Sequence, residues 1–133
     1  MVSSESTAQP IRSYKDLDVW KTAISLAEAV YASSSTFPRD ERFGMTAQMR
    51  RSAVSIAANI AEGNGRESTP SFIQFLRIAQ GSLKELETHL VIAERVKLLA
   101  SAAVTLSKRY ATSIGKMLRN LIRSLERKLA DRT

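Results

Sequence analysis

Seven apolar residues recur along the middle of the chain in a strict pattern. Phe72, Leu76, Ala79, Leu83, Leu86, Leu90 and Ala93 follow one another at spacings of 4, 3, 4, 3, 4 and 3. A helix turns by about 100° per residue, so this alternation keeps all seven on one stripe for about six turns. A strand cannot do this, because its side chains change face at every residue. The segment is therefore a helix, and its stripe has to be covered by other helices. Phe75, Ile78, Ile92 and Val96 are expected to widen the stripe into a bundle-core face. Thr69 is read as its N-cap, with Pro70 in the first turn, where a missing N–H costs nothing.

Three more segments carry a helical period. Over 17–34, the residues Leu17, Trp20, Ile24, Ala27 and Tyr31 share a face. Asp16 and Asp18 lie near its start, and Ser33, Ser34, Ser35 and then Pro38 end it. Over 46–62, Thr46 is read as the cap and Met49, Ala53, Ile56 and Ile60 as the buried face, with Gly63 or Gly65 as a left-handed C-cap. Over 101–129, Ala103, Leu106, Tyr110, Ile114, Met117, Leu118, Leu121, Ile122, Leu125 and Leu129 fall within an arc of about 160°. The connection 97–101 holds neither Gly nor Pro. The spacing predicts helices near 15–35, 46–63, 69–97 and 101–130 and no strand. Short connections make consecutive helices antiparallel. The fold class is all-α: an antiparallel up-down-up-down four-helix bundle over 14–130. The Ser-rich segment 1–13 has no apolar period and is read as a disordered N-terminal tail.

Composition removes whole classes of chemistry. The chain has 133 residues, enough for one self-sufficient core. It has no cysteine, so thiol nucleophiles, disulfides and iron–sulfur clusters have no ligands. His89 is its one histidine. A carboxylate di-iron bundle needs two Glu-x-x-His pairs; here Glu85 and His89 stand four apart and no second histidine exists, so no metal, cofactor or enzymatic activity is expected. Gly63-Asn64-Gly65-Arg66 lacks the preceding strand and the Lys-Ser/Thr ending of a phosphate loop. No apolar run approaches the roughly 18 residues of a membrane span, and residues 1–13 lack the apolar core of a signal peptide. A cytoplasmic protein without membrane contact is expected.

Charge supplies the positive indication. The formal net charge is +7, and the excess lies in the second half. Residues 1–66 carry eight basic and seven acidic groups, and residues 67–133 carry twelve and six. On the last helix Lys108, Arg109, Lys116, Arg119, Arg123 and Arg127 share an arc of about 100°, opposite the apolar arc. No acid is expected within it. A one-signed face repels itself, and a polyanion relieves that repulsion while releasing counterions. The stripe has no aromatic residue, which favours backbone contact over base stacking. Arg50 and Arg51 are weaker candidates for nucleic-acid binding. The small residues of 52–61 are expected to allow close approach to Gly81 and Ser82, with Asn59 and Glu62 cross-linking helices by hydrogen bonds.

Several motifs carry a family resemblance. Tyr14-Lys15-Asp16-Leu17-Asp18-Val19-Trp20, the Phe37-Pro38 pair followed by Glu41, Gly44-Met45-Thr46-Ala47-Gln48-Met49-Arg50-Arg51-Ser52-Ala53, the run from Ser55 to Gly63, and the run from Phe75 to Glu87 stand in order. Over about 14–125 the chain resembles the bacterial four-helix-bundle proteins encoded in intervening sequences of 23S rRNA genes, often labelled ribosomal proteins. A related branch is the accessory variability determinant of diversity-generating retroelements. The resemblance implies a homopentamer with a basic exterior. From the retroelement branch it implies binding to nucleic acid and to a partner reverse transcriptase, with no catalysis. The reading is thus a non-enzymatic homo-oligomeric bundle that binds nucleic acid, structured RNA or a hybrid, through the last helix. The alternative is a protein-interaction adaptor or scaffold for a reverse transcriptase or another nucleic-acid enzyme.

Overall fold

The computed structural model describes residues 13–132. The tail expected over 1–13 lies, apart from Ser13, outside the described residues. Four helices are present: α1 (Asp18–Ser34), α2 (Met45–Asn64), α3 (Thr69–Arg95) and α4 (Ser101–Asp131). Single 3-10 turns at Tyr14–Asp16 and Arg39–Glu41 precede α1 and α2, and the described residues contain no strand.

Each helix packs on two others, α1 on α2, α2 on α3, α3 on α4 and α4 on α1, which closes a ring. Contacts between consecutive helices run in opposite sequence directions. Gly63 lies against Phe72 and Phe75, whereas Ser55 meets Ser82. Arg77 reaches Glu126, whereas Leu83 lies beside Gly115. The fold is the expected antiparallel four-helix bundle.

The core of α3 is the heptad seam with Ile73 added: Ile73, Leu76, Ala79, Leu83, Leu86, Leu90 and Ala93 are buried, and Phe72 packs against them partly buried. Of the four residues expected to widen that seam, Phe75 is partly buried against Gly63 and the other three are not. Ile78, Ile92 and Val96 are 47%, 42% and 58% exposed, because a helix with only two neighbours has room to bury little more than the seam. On α2, Met49, Ala53, Ile56 and Ile60 are buried as expected.

On α1 the buried face is a different one. Val19, Ala23, Leu26 and Val30 face the interior, while Leu17, Trp20, Ile24 and Ala27 are partly buried and Tyr31 is exposed. The helix carries two adjacent apolar stripes. The slimmer one fits the interior, and Trp20, Ile24 and Ala27 line an outer groove with Tyr14, Val54, Ala57, Ala58 and Ala61. On α4 the interior takes Val104, Ser107, Ala111, Ile114, Leu118 and Ile122, and Leu106 is exposed. The buried face is thus turned away from the centre of the expected arc, toward the cations.

The ends of the helices also differ from expectation. The α2 N-cap is Gly44, not Thr46, and the Glu41 carboxylate accepts from the Met45 N–H at 3.1 Å in place of a cap side chain. Ser68, not Thr69, caps α3, accepting from the Ser71 N–H at 3.2 Å, with Pro70 in the first turn. Neither Gly63 nor Gly65 is left-handed: Gly63 is inside α2, and Gly65 has φ −77° and donates to Ala61 and Glu62 as the chain turns toward α3. The left-handed position falls instead on Lys97, φ 66°. There the Leu98 N–H reaches the Ala93 carbonyl at 2.9 Å and the Lys97 N–H reaches Glu94 at 3.0 Å, closing α3 with a Schellman motif.

Candidate nucleic-acid interface

Lys108, Arg109, Lys116, Arg119, Arg123 and Arg127 are all exposed on α4. The reason is the turn of the helix. With Ser107, Ala111, Leu118 and Ile122 held in the core, Lys108, Arg119 and Arg123 each follow a buried residue and project to the flank. Arg109, Lys116 and Arg127 lie further round on the side away from the core, and long cationic side chains keep their heads in water there. Because the buried face is turned toward the cations, Arg119 and Lys116 stand at the edge of α4 that faces α3.

That edge is concave. Gly81, Leu83, Lys84, Ala111, Thr112, Gly115, Lys116 and Arg119 line a groove of about 530 Å³ between α3 and α4, together with Gln80 and Glu87. Thr112 also borders a hollow with Thr105, Lys108 and Arg109. Gln80 and Arg119 also border a hollow with Arg77, Ile122, Arg123 and Glu126. The three hollows share walls and form one track along α4 from Thr105 to Glu126, about 30 Å at the helical rise. The track recruits two cations that the reading of α4 alone missed, Arg77 and Lys84. Both belong to α3, and only the antiparallel pairing of the two helices brings them in.

The expectation of an acid-free arc is corrected. Glu126 lies eighteen residues from Lys108, which is five whole turns, so it falls on the arc's edge. It accepts from the Arg77 guanidinium at 2.7 Å and borders the same hollow as Arg119 and Arg123. Glu87, in the neighbouring groove, pairs with Lys84 at 3.1 Å. The two acids of the track are therefore each matched by a cation from α3, and the cations of α4 are left as its excess charge.

Arg50 and Arg51 lie elsewhere. The Arg50 Nε donates to the Ser34 hydroxyl at 2.9 Å, and its guanidinium lies 4.5 Å from the Tyr31 ring centre. It ties α1 to α2 from a partly buried position. Arg51 is exposed and donates to Gln48. Neither belongs to the track. Of the expected cross-links, Asn59 donates to the Ser55 hydroxyl at 3.0 Å, and Ser55 meets Ser82 at 2.7 Å, joining α2 to α3. Glu62 instead points outward and pairs with Arg66. Gly81 is not a packing partner of the small residues, since nothing lies within 4 Å of the position its Cβ would take.

His89 is mostly buried, and neither ring nitrogen has a hydrogen-bond partner; its Nε2 stands 3.7 Å from the Glu85 carboxylate. Among the described residues, no three His, Asp, Glu or Cys side chains are grouped to hold a metal ion, and no helix is long and apolar enough to cross a membrane.

Comparison with known proteins follows the fold closely. A family described as 23S rRNA-intervening sequence protein matches residues 15–120. A crystal structure at 1.70 Å of a protein with unknown function, from the S23 ribosomal protein family of Bacteroides thetaiotaomicron VPI-5482, superposes with a TM-score of 0.73. It is 26% identical, and the alignment covers 79% of this chain and 95% of that one. No functionally curated protein matches the chain.

Proposed function

Because this chain belongs to the 23S rRNA-intervening sequence protein family, we propose that it is a non-enzymatic nucleic-acid-binding bundle acting on structured RNA or an RNA hybrid. The observation that carries the reading is the cationic track of α4. Six exposed basic residues lie on one flank, and the acids beside them are already paired from α3. A face of this kind gains by neutralising phosphates, because each contact releases condensed counterions. Phosphate contacts position a ligand but carry no sequence information, so binding is expected to be broad.

The experiment is a fluorescence-anisotropy titration of labelled RNA at several salt concentrations. With four to six phosphates engaged, the log–log slope on duplex is expected at roughly −4 to −5. Replacing Lys116, Arg119 and Arg123 together by Gln should weaken binding at all sequences and lower the slope by about one per lost contact. Equal binding and equal slope for both proteins would defeat the reading.

A second reading is favoured by the outer groove of α1 and α2, where Trp20, Ile24, Ala27 and Val54 leave an apolar surface. It is that of an adaptor which assembles with itself, as the family resemblance implies for a pentamer, or docks a nucleic-acid enzyme such as a reverse transcriptase. RNA binding that appears only with a protein partner present supports it, and light scattering that returns a monomer near 14.7 kDa removes its self-assembly.

A further inference from the structure

Two glycines line the α3–α4 groove, Gly81 from one helix and Gly115 from the other. Glycine inside a helix weakens it and is normally kept where something must come close. Here packing asks for neither. A Cβ on Gly81 would meet nothing within 4 Å, and one on Gly115 would make an ordinary 3.6 Å contact with Leu83. Gly63 shows the opposite case, with Phe75 2.6 Å from the position its Cβ would take. The two groove glycines therefore hold a space open from within rather than let two helices touch.

The chemistry of that space is layered. Its buried lining, Leu83 and Ala111, forms an apolar floor, with Gly81 and Gly115 beside it. The amides beneath are spent on the two helices, so a phosphate would find no donor there. Gln80 and Thr112 stand on the rim with groups that both donate and accept. Lys116 and Arg119 bring positive charge to one wall, and the track continues past both ends with Lys108 and Arg123.

We propose that this groove seats one unpaired base of a single-stranded or bulged RNA, while the cations on either side hold its flanking phosphates. This rests on the nucleic-acid reading above and deepens it. An unstacked base offers flat apolar faces for the floor and a polar edge for Gln80 and Thr112. The Arg119 guanidinium can stack on it where no aromatic side chain is available. The groove volume is that of a small-molecule pocket. A duplex keeps the faces of its bases stacked inside, so it can lie along the track by its phosphates but cannot put a base into the groove.

The test fills the groove from the open side. Gly81→Leu is titrated by fluorescence anisotropy with a single-stranded RNA 12-mer, a duplex of the same length, and a 12-mer with abasic sites. Thermal unfolding runs alongside. Wild type should bind the base-bearing strand more tightly than the abasic one. The Leu variant should lose about tenfold on the base-bearing strand, keep duplex affinity within about twofold and melt no lower than wild type. If the Leu variant folds poorly, Gly81→Ala replaces it, with a smaller loss expected on the same strand. Unchanged affinity for the base-bearing strand, or an equal loss on all three RNAs, overturns the proposal and leaves salt-dependent binding standing. Equal wild-type affinity for abasic and base-bearing strands overturns it too. No RNA binding by wild type at any salt defeats both readings. A change in oligomer mass with RNA affinity intact assigns the groove to a second copy of the chain, and the base seat falls.

Discussion

A methyl group built on Gly63 would lie 2.6 Å from the Cβ of Phe75. That Cβ is fixed to the α3 backbone, so no rotamer change relieves the overlap and the two helices would have to separate. Gly63→Ala is therefore expected to destabilise the protein by about 1–3 kcal/mol despite alanine's better helix propensity. Gly81→Ala, with open space at its Cβ, is expected to stabilise it by about 0.5–1 kcal/mol. Thermal unfolding of the two variants should shift in opposite directions.

Arg50 and Arg123 should separate stability from binding. Arg50→Gln loses the bond to Ser34 and the contact with the Tyr31 ring, with an expected cost of about 1–3 kcal/mol and unchanged RNA affinity. Arg123→Gln should leave stability within about 0.5 kcal/mol and weaken RNA binding. Denaturant melts and anisotropy on both variants check the split, and a swapped pattern would move the interface to the α1–α2 side.

Glu126 is the acid embedded in the track. Its pair with Arg77 is about half exposed on both sides, so Glu126→Gln should change stability by less than about 1 kcal/mol. It should tighten RNA binding, since it removes a negative charge and frees Arg77 for phosphate. Weaker binding by the variant would mean that the pair positions Arg77 for the ligand.

Lys97 holds the left-handed turn that closes α3, with φ 66°. A residue with a Cβ is strained there by about 1–2 kcal/mol. Lys97→Gly should recover about 1 kcal/mol, read as a higher melting temperature. A lower one would show that the Lys97 side chain has a partner that outweighs the strain.

The parts of the fold that sequence makes legible are those with one apolar stripe. On α3 the alternation from Leu76 to Ala93 admits a single face, and that face is buried. On α1 Val19, Ala23, Leu26 and Val30 compete with Trp20, Ile24 and Ala27, and period alone cannot rank two stripes of equal regularity. Bulk favours the second stripe and the narrow interior favours the first. The α3 cap falls one position early because Ser68 and Thr69 are both competent caps, and backbone geometry decides between them. The left-handed turn at Lys97 could not be anticipated, since nothing local marks a lysine for that conformation.

For the interface, the cations of α4 are legible because helical arithmetic puts them on one flank. The same arithmetic, carried to Glu126, marks the acid on the arc's edge. Arg77, Lys84 and Gly81 are different. They belong to another helix, and only the antiparallel register of α3 against α4 brings them to the track.

The ring of helices also orders events in time. Three of its interfaces join helices that are consecutive in the chain, and only α1 against α4 closes across the whole of α2 and α3. Closing that long loop costs more chain entropy than closing a hairpin, by about 0.6 kcal/mol for each doubling of length. Hairpin contacts should therefore form before the ring shuts, and refolding should finish in microseconds to milliseconds, as for other helical proteins dominated by local contacts. Stopped-flow refolding on the scale of seconds would contradict this order. On it, the α1–α4 seam is the last to form in the refolding chain.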